Sequence, residues 1–145
     1  LHDLISELDG MVRPLIKKHQ IGFAVHCPDK IWIDSDRARV NQVLDTLIIN
    51  AIHACPKKSD VSLTVEDQGD RVQIHVHNPG PPLSEERLKT LFIPFLQTSS
   101  RDGRHGLGLA LAKSIVEVLG GEIVVTSDTE NGTTFTLELP CHEAE

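Results

Sequence analysis

Arg104-His105-Gly106-Leu107-Gly108-Leu109-Ala110-Leu111-Ala112 runs straight into the helical pattern of residues 113–119 and closes on Gly120-Gly121. Glycines at 106 and 108 let the backbone approach a ligand closely, and a helix beginning there points unpaired N–H groups outward. That is the physical makeup of a phosphate seat. Many loops use a glycine pair simply to reach positive φ, so the stretch is weak evidence until its neighbours are read.

Working backward, Gln42, Thr46, Asn50 and His53 fall at steps of four, four and three within a long helical pattern whose apolar positions are Val40, Val43, Leu44, Leu47, Ile48 and Ala51. The spacing aligns the polar residues along one stripe. A solvent-facing stripe on an amphipathic helix accounts for that pattern as well as a site does. Asn50, hemmed by Ile48, Ile49 and Ala51, is costly to bury unless its amide is satisfied, which a bound ion or phosphate would do. Asp34-Ser35-Asp36 offers N-caps for this helix, and Cys55-Pro56 ends it.

The remaining segments frame these two. Leu4, Ile5, Leu8, Met11, Val12, Leu15 and Ile16 predict an amphipathic first helix that Pro14 bends or breaks near residue 13. Residues 22–27 and 31–33 read as two short strands around Pro28-Asp29-Lys30, with a hairpin as the simplest pairing. Residues 61–65 and 72–76 alternate across Gln68-Gly69-Asp70 as an antiparallel pair with one buried face. Asn78-Pro79-Gly80-Pro81-Pro82 continues neither strand nor helix. Residues 84–91 form a short helix capped by Ser84, residues 98–103 a polar loop, 122–127 and 133–139 a final hairpin, and 140–145 a frayed tail. Helices interleaved with antiparallel hairpins give an α+β two-layer sandwich, its mixed, mainly antiparallel sheet covered on one face by helices. The glycine loop is not embedded in βαβ units, and G-x-x-x-x-G-K-[ST] is absent, which argues against dinucleotide and Walker-type folds.

Composition bounds the function. One domain of 145 residues with 39% hydrophobic content supports a real core. A formal charge of −7, with 21 acidic against 14 basic residues, excludes a large cationic surface for nucleic acid. The sequence has no apolar run of membrane-spanning length and no export leader, and its start at Leu1 suggests a fragment of a longer protein. Cys27, Cys55 and Cys141 form no C-x-x-C pair, and the eight histidines show no metal-binding spacing, so a reducing cytosolic setting fits best. His75 and His77 share one strand face.

Five ordered segments together resemble the catalytic ATP-binding domain of bacterial sensor histidine kinases, the nucleotide fold shared with gyrase B, Hsp90 and MutL-type ATPases. Residues 40–51 (VNQVLDTLIINA) resemble the family's asparagine box and 76–83 (VHNPGPPL) its first glycine box. Residues 92–95 (FIPF) resemble the phenylalanine box, 106–109 (GLGL) the second glycine box, and Gly132-Thr133-Thr134-Phe135 the last G-T-x-F element. The match covers nearly the whole chain.

The resemblance implies that Asn50 ligates Mg²⁺ bridging the ATP phosphates, a sensible pairing because Mg²⁺ is a hard cation that takes few protein oxygens. It implies that His53 replaces a basic residue contacting those phosphates and that Asn78 stands where an Asp reads the adenine amino group, with Gly80 and Thr133 nearby. Leu83, Phe92, Arg104, Gly106, Leu107, Gly108 and Leu109 complete the implied ATP site. Residues 96–105 become a lid whose Arg101 and Arg104 meet the triphosphate or merely face solvent.

Several positions depart from the pattern. Asn78 gives up a charge-assisted bond, a loss of about 1 kcal/mol or about fivefold in affinity. Pro82 and Arg104 occupy usual glycine positions. Thr46 leaves no acidic general base for hydrolysis.

The resemblance also implies an acceptor histidine on an upstream dimerisation domain and a response regulator receiver domain as partners. Neither nucleic acid nor membrane insertion is expected, and the isolated domain is expected to be a monomer, cytoplasmic or the cytoplasmic part of a membrane-bound sensor. An anti-sigma-type serine kinase of the same fold and a degenerate, nucleotide-free interaction module are the alternatives.

Overall fold

The computed structural model describes residues 2–27, 37–93 and 108–140, with side chains from Leu8 onward. The expected strand at 31–33, the N-cap candidates 34–36, the polar loop 98–103 and the lid 96–105 with Arg101 and Arg104 lie outside them. So do Gly106, Leu107 and residues 141–145. The elements in chain order are α1 (His2–His19), β1 (Gly22–His26), α2 (Arg37–Ala54), β2 (Asp60–Asp67), β3 (Arg71–Asn78), α3 (Glu85–Thr90), α4 (Gly108–Val118), β4 (Glu122–Asp128) and β5 (Gly132–Pro140).

The strands form one sheet in the order β1-β2-β3-β5-β4. β1 runs parallel to β2, and every other pairing is antiparallel. The described pairing of β1 is therefore a parallel one with β2, and the expected hairpin partner at 31–33 lies outside the described residues.

The architecture follows from side-chain periodicity. Val61, Leu63 and Val65 of β2, Val72, Ile74 and Val76 of β3, and Phe135, Leu137 and Leu139 of β5 all point to one face, because strand side chains alternate. Over that face lie Leu8, Val12 and Ile16 of α1, seven buried residues of α2, and Leu109, Ala112 and Val116 of α4. These contacts form one continuous core. The opposite face is polar: His75 Nδ1 and Thr136 Oγ1 are 2.9 Å apart, Gln73 Nε2 donates to Glu138 at 3.1 Å, and Arg71 pairs with Glu138.

Two local expectations change. α1 continues through Pro14 without breaking. Pro14 and Gly10, whose carbonyl loses its i+4 partner, both lie on the exposed face, where water replaces the lost bond. Pro140 is the last residue of β5, paired opposite Arg71, and not the start of a tail. A strand terminus tolerates the missing N–H.

The β4–β5 turn is held from two sides. The Asn131 backbone N–H donates to Asp128 Oδ1 at 2.6 Å and its side-chain amide to Oδ2 at 3.1 Å. These bonds, the backbone one foremost, hold the Asp128 carboxyl below its ordinary value. At the other end Gly132 has φ +73°, and a Cβ there would lie 2.3 Å from the Asn78 carbonyl oxygen and 2.8 Å from Pro79 Cα. Backbone meets backbone, and only hydrogen fits.

Gly132→Ala should therefore lose about 2 kcal/mol or more in urea unfolding, from left-handed strain plus the clash; a loss below about 0.5 kcal/mol contradicts the contact. Asp128→Ala should be less stable than wild type at neutral pH. Because the folded carboxyl titrates lower than the unfolded one, this difference is complete above the unfolded value and closes as pH falls through the folded one. A gap constant from neutral to strongly acidic pH would refute that role.

Candidate functional site

α2 and α4 build one wall of the site. α2 turns its apolar face fully inward, with Val43, Leu44, Leu47, Ile48, Ala51 and Ile52 buried, which sets the polar stripe at the edge of the core. Gln42 and His53 are exposed, while Thr46 and Asn50 are half-buried. Asn50 is therefore neither sealed among its apolar neighbours nor fully in solvent, and stands at the boundary of the core between the two readings that the sequence left open.

Thr46 spends its hydroxyl inside its own helix, donating to the Gln42 carbonyl at 3.0 Å. Its methyl turns toward Gly108, where a Cβ would come within 3.4 Å of Thr46 Cγ2. Gly108 is the first residue of α4, so the N-terminal turn of that helix, with its unpaired N–H groups, rests directly on the polar stripe of α2. The His53 ring lies 5.1 Å from that of His19 at the end of α1.

The second wall is the far end of β3 and β5. Asn78 and Thr133 are register partners, 3% and 5% exposed, the two polar residues of the described core. Burial of polar groups requires hydrogen bonds, and each has one. Asn78 Nδ2 donates to the Pro79 carbonyl at 2.9 Å. Thr133 Oγ1 lies 2.9 Å from Ser127 Oγ, which in turn accepts the Leu83 N–H at 2.8 Å.

The turn between Asn78 and Leu83 folds back onto α2. Gly80 has φ +133°, and a Cβ there would lie 3.3 Å from the Ala54 carbonyl oxygen and 3.5 Å from Pro56 Cδ. Glycine is demanded here by backbone shape and by contact with the end of α2, so this turn joins the two walls.

Other residues expected at the site serve the frame. Leu109 is buried in the core at the first turn of α4, and Leu83 packs against that core. Phe92 meets Phe135 edge to face at 6.3 Å, with Lys113 Nζ 5.3 Å from its ring centre. It thus ties the end of α3 to β5 and α4. Arg104, Gly106 and Leu107 lie outside the described residues. An open depression bounded by Arg71, Lys113, Glu117 and Glu122 sits at the opposite end of β3 and shares no residue with the site. Near the end of α2, burial and then the charge of Asp60 push the Cys55 thiol upward, which keeps it protonated and unreactive at neutral pH.

Ser127 is the contributor that sequence reading did not single out, while Gly132 was read as part of the G-T-x-F element without its contact with Asn78 and Pro79. Ser127 carries a faint signal: it falls in phase with the inward-facing Ile123 and Val125, where an apolar residue is expected. Removing its hydroxyl leaves Leu83 N–H and the buried Thr133 hydroxyl without their partner. Ser127→Ala should cost about 1–3 kcal/mol in urea unfolding, and Ser127→Thr should recover most of it. An Ala variant as stable as wild type would show that the bridge holds nothing.

Comparison with known proteins gives the family of this fold. Residues 35–143 match the family described as histidine kinase-, DNA gyrase B-, and HSP90-like ATPase. The chain is 32% identical to the autoinducer 2 sensor kinase/phosphatase LuxQ of Vibrio vulnificus over 99% of its own length, and 39% identical to the sensor histidine kinase ZraS of Escherichia coli over 74%. It spans 18% and 23% of those relatives. Among solved structures, the catalytic domain of histidine kinase ThkA superposes with a TM-score of 0.87 at 34% identity, covering 97% of this chain and 94% of that one. ThkA in complex with the response regulator protein TrrA matches at 0.83 and 33% identity, over 98% of this chain and 40% of that one. The chain belongs to the histidine kinase-, gyrase B- and HSP90-like ATPase family and is a catalytic ATP-binding domain of the sensor histidine kinase type.

Proposed function

We propose that this domain binds Mg-ATP between α2, the start of α4 and the Asn78–Thr133 end of the sheet, and presents the γ-phosphate to a histidine on an upstream dimerisation domain. A response regulator aspartate then receives the phosphoryl group. The observation that carries this reading is the seating of the first turn of α4 on Thr46, one helical turn from Asn50. Helix N–H donors and a half-buried amide on neighbouring helices are a combination suited to phosphate and a hard cation, which supports this reading. A structure of full-length ShkA with AMPPNP, 26% identical over 98% of this chain with a TM-score of 0.83, supports a nucleotide in such a fold, and the ThkA–TrrA complex supports the regulator partner.

Each residue has a distinct task. Asn50 would hold Mg²⁺ through its carbonyl oxygen, and the ion would supply charge neutralisation across the phosphates. The α4 N-terminus and His53 bind phosphate oxygens. Asn78 and Thr133 receive the base, over the turn that Gly80 and Ser127 hold in place. Phosphoryl transfer asks mainly for positioning and electrostatic stabilisation, so a domain that fixes ATP leaves the nucleophile to another. Thr46, its hydroxyl committed to the Gln42 carbonyl, activates no water. Slow hydrolysis without the acceptor domain follows.

Asn50→Ala should weaken Mg-ATP binding by about tenfold or more, about 1.4 kcal/mol, while binding measured with EDTA stays unchanged. Titration calorimetry on both proteins with and without the metal reads this directly. Equal losses in the two conditions would remove Asn50 from the metal. Full-length protein that passes ³²P from ATP to a serine, and not to a histidine, would replace the kinase class itself.

A further inference from the structure

We infer that Asn131 is a self-modifying site, an asparagine set to lose its amide to the Gly132 backbone nitrogen, and that the Asp128 carboxylate holds the reaction back while the β4–β5 turn is folded. The chemistry is independent of any nucleotide.

The reaction needs only water and a solvent base. The backbone nitrogen of the following residue gives up its proton and attacks the asparagine Cγ; the N–Cγ bond forms, the Cγ–Nδ2 bond breaks, and Nδ2 leaves as ammonia with a proton from water. Water then opens the five-membered imide at either carbonyl, leaving an aspartyl or an isoaspartyl residue with no oxidation or reduction. Of the four asparagines, Asn41, Asn50 and Asn78 are followed by Gln42, Ala51 and Pro79. A Cβ on the next residue crowds the attack, and proline has no N–H to give up. Asn41 and Asn50 are also fixed within α2. Asn131 is followed by Gly132, which presents neither obstacle, and it is exposed to water.

The folded turn opposes the step. Ring closure requires Cγ to swing forward onto the Gly132 nitrogen, whereas the structure ties it backward. The Asn131 N–H donates to Asp128 Oδ1 at 2.6 Å and Nδ2 donates to Oδ2 at 3.1 Å. His77 Nε2, from β3, donates to the Asn131 carbonyl oxygen, an atom that only accepts. Backbone N–H, carbonyl and side-chain NH₂ are thus each held, from two strands. The bonds to Asp128 lower its carboxyl, which stays ionised at neutral pH and makes the hold charge-assisted. Deamidation therefore waits on local opening of the turn.

The consequence reaches inward. Conversion replaces a donor by a second carboxylate facing Asp128, and the isoaspartyl form lengthens the backbone by one methylene just before Gly132. A Cβ on Gly132 would already lie 2.3 Å from the Asn78 carbonyl oxygen and 2.8 Å from Pro79 Cα. The added length has no room on that side, so it displaces the turn outward and uncouples it from the end of β3.

The test ages the wild-type domain, folded and in concentrated urea, beside Asp128→Ala in warm, mildly alkaline buffer. Mass spectrometry follows the change of amide to acid in the peptide carrying residue 131 and in those carrying Asn41, Asn50 and Asn78. Conversion is expected at residue 131 ahead of the other three, about tenfold or more slower folded than in urea, and about tenfold or more faster in folded Asp128→Ala than in folded wild type, the scale of one charge-assisted hydrogen bond. Residue 131 converting no faster than the others in urea would remove the site. Equal rates for folded and unfolded wild type, or a folded Asp128→Ala no faster than wild type, would overturn the restraint. Should Asp128→Ala fail to fold, Asp128→Asn keeps a neutral acceptor and is expected to accelerate conversion about threefold or more; no acceleration overturns the role of the carboxylate. Converted protein, separated by its charge, should unfold at lower urea than unconverted protein, and equal midpoints would refute the coupling to β3.

Discussion

The burial of α2 against the middle of the sheet is the constraint on which the site depends. Its seven buried side chains meet β2 and β3 on one side and α1 and α4 on the other, so the helix has no freedom to rotate without exposing apolar surface. That single rotational setting puts Asn50 at the rim of the core, Thr46 under Gly108, and the Ala54 carbonyl beneath Gly80. The proposed phosphate and base ends of the site are thus indexed to one rigid element. A site on loops alone would lack this registration.

The proposed base end is organised by close contacts between backbones together with a few side-chain hydrogen bonds. Gly132 lies against Asn78 and Pro79, Gly80 against the end of α2, and Ser127 reaches from the edge strand to both Leu83 and Thr133. Two buried polar residues, Asn78 and Thr133, are affordable there because each finds a partner within 2.9 Å. Replacement of a carboxylate by Asn78 does not leave a hole in this network. The amide NH₂ binds a carbonyl that a carboxylate would only repel, so the side chain is held in place without a charge.

Much of the architecture was legible because it is written in short-range periodicity. The alternation in residues 61–65 and 72–76, the three-and-four spacing from Val40 to Ala51, and the final hairpin of residues 122–127 and 133–139 each specify an element whose partner faces are already implied. Ser84 announces its cap, and its side chain accepts the Arg87 N–H as expected. Pro14 misleads because a proline on an exposed helix face costs less than one in the core. The partner of β1 was not legible, since a parallel crossover leaves no local turn signal.

By itself the sequence determined which residue types the site would use, through glycines, an asparagine and a G-T element arranged in a recognisable order. Tertiary structure alone decided where each of them stands and what it touches. Asn50 became reachable because the rotation of α2 placed it at the core boundary, and Gly132 became obligatory because β5 inserted between β3 and β4. Ser127 gained a role from strand pairing, and Asn78 gained its orientation from a neighbouring carbonyl. Chain order records local conformational preference; distances between segments arise only when burial of the common apolar face brings them together.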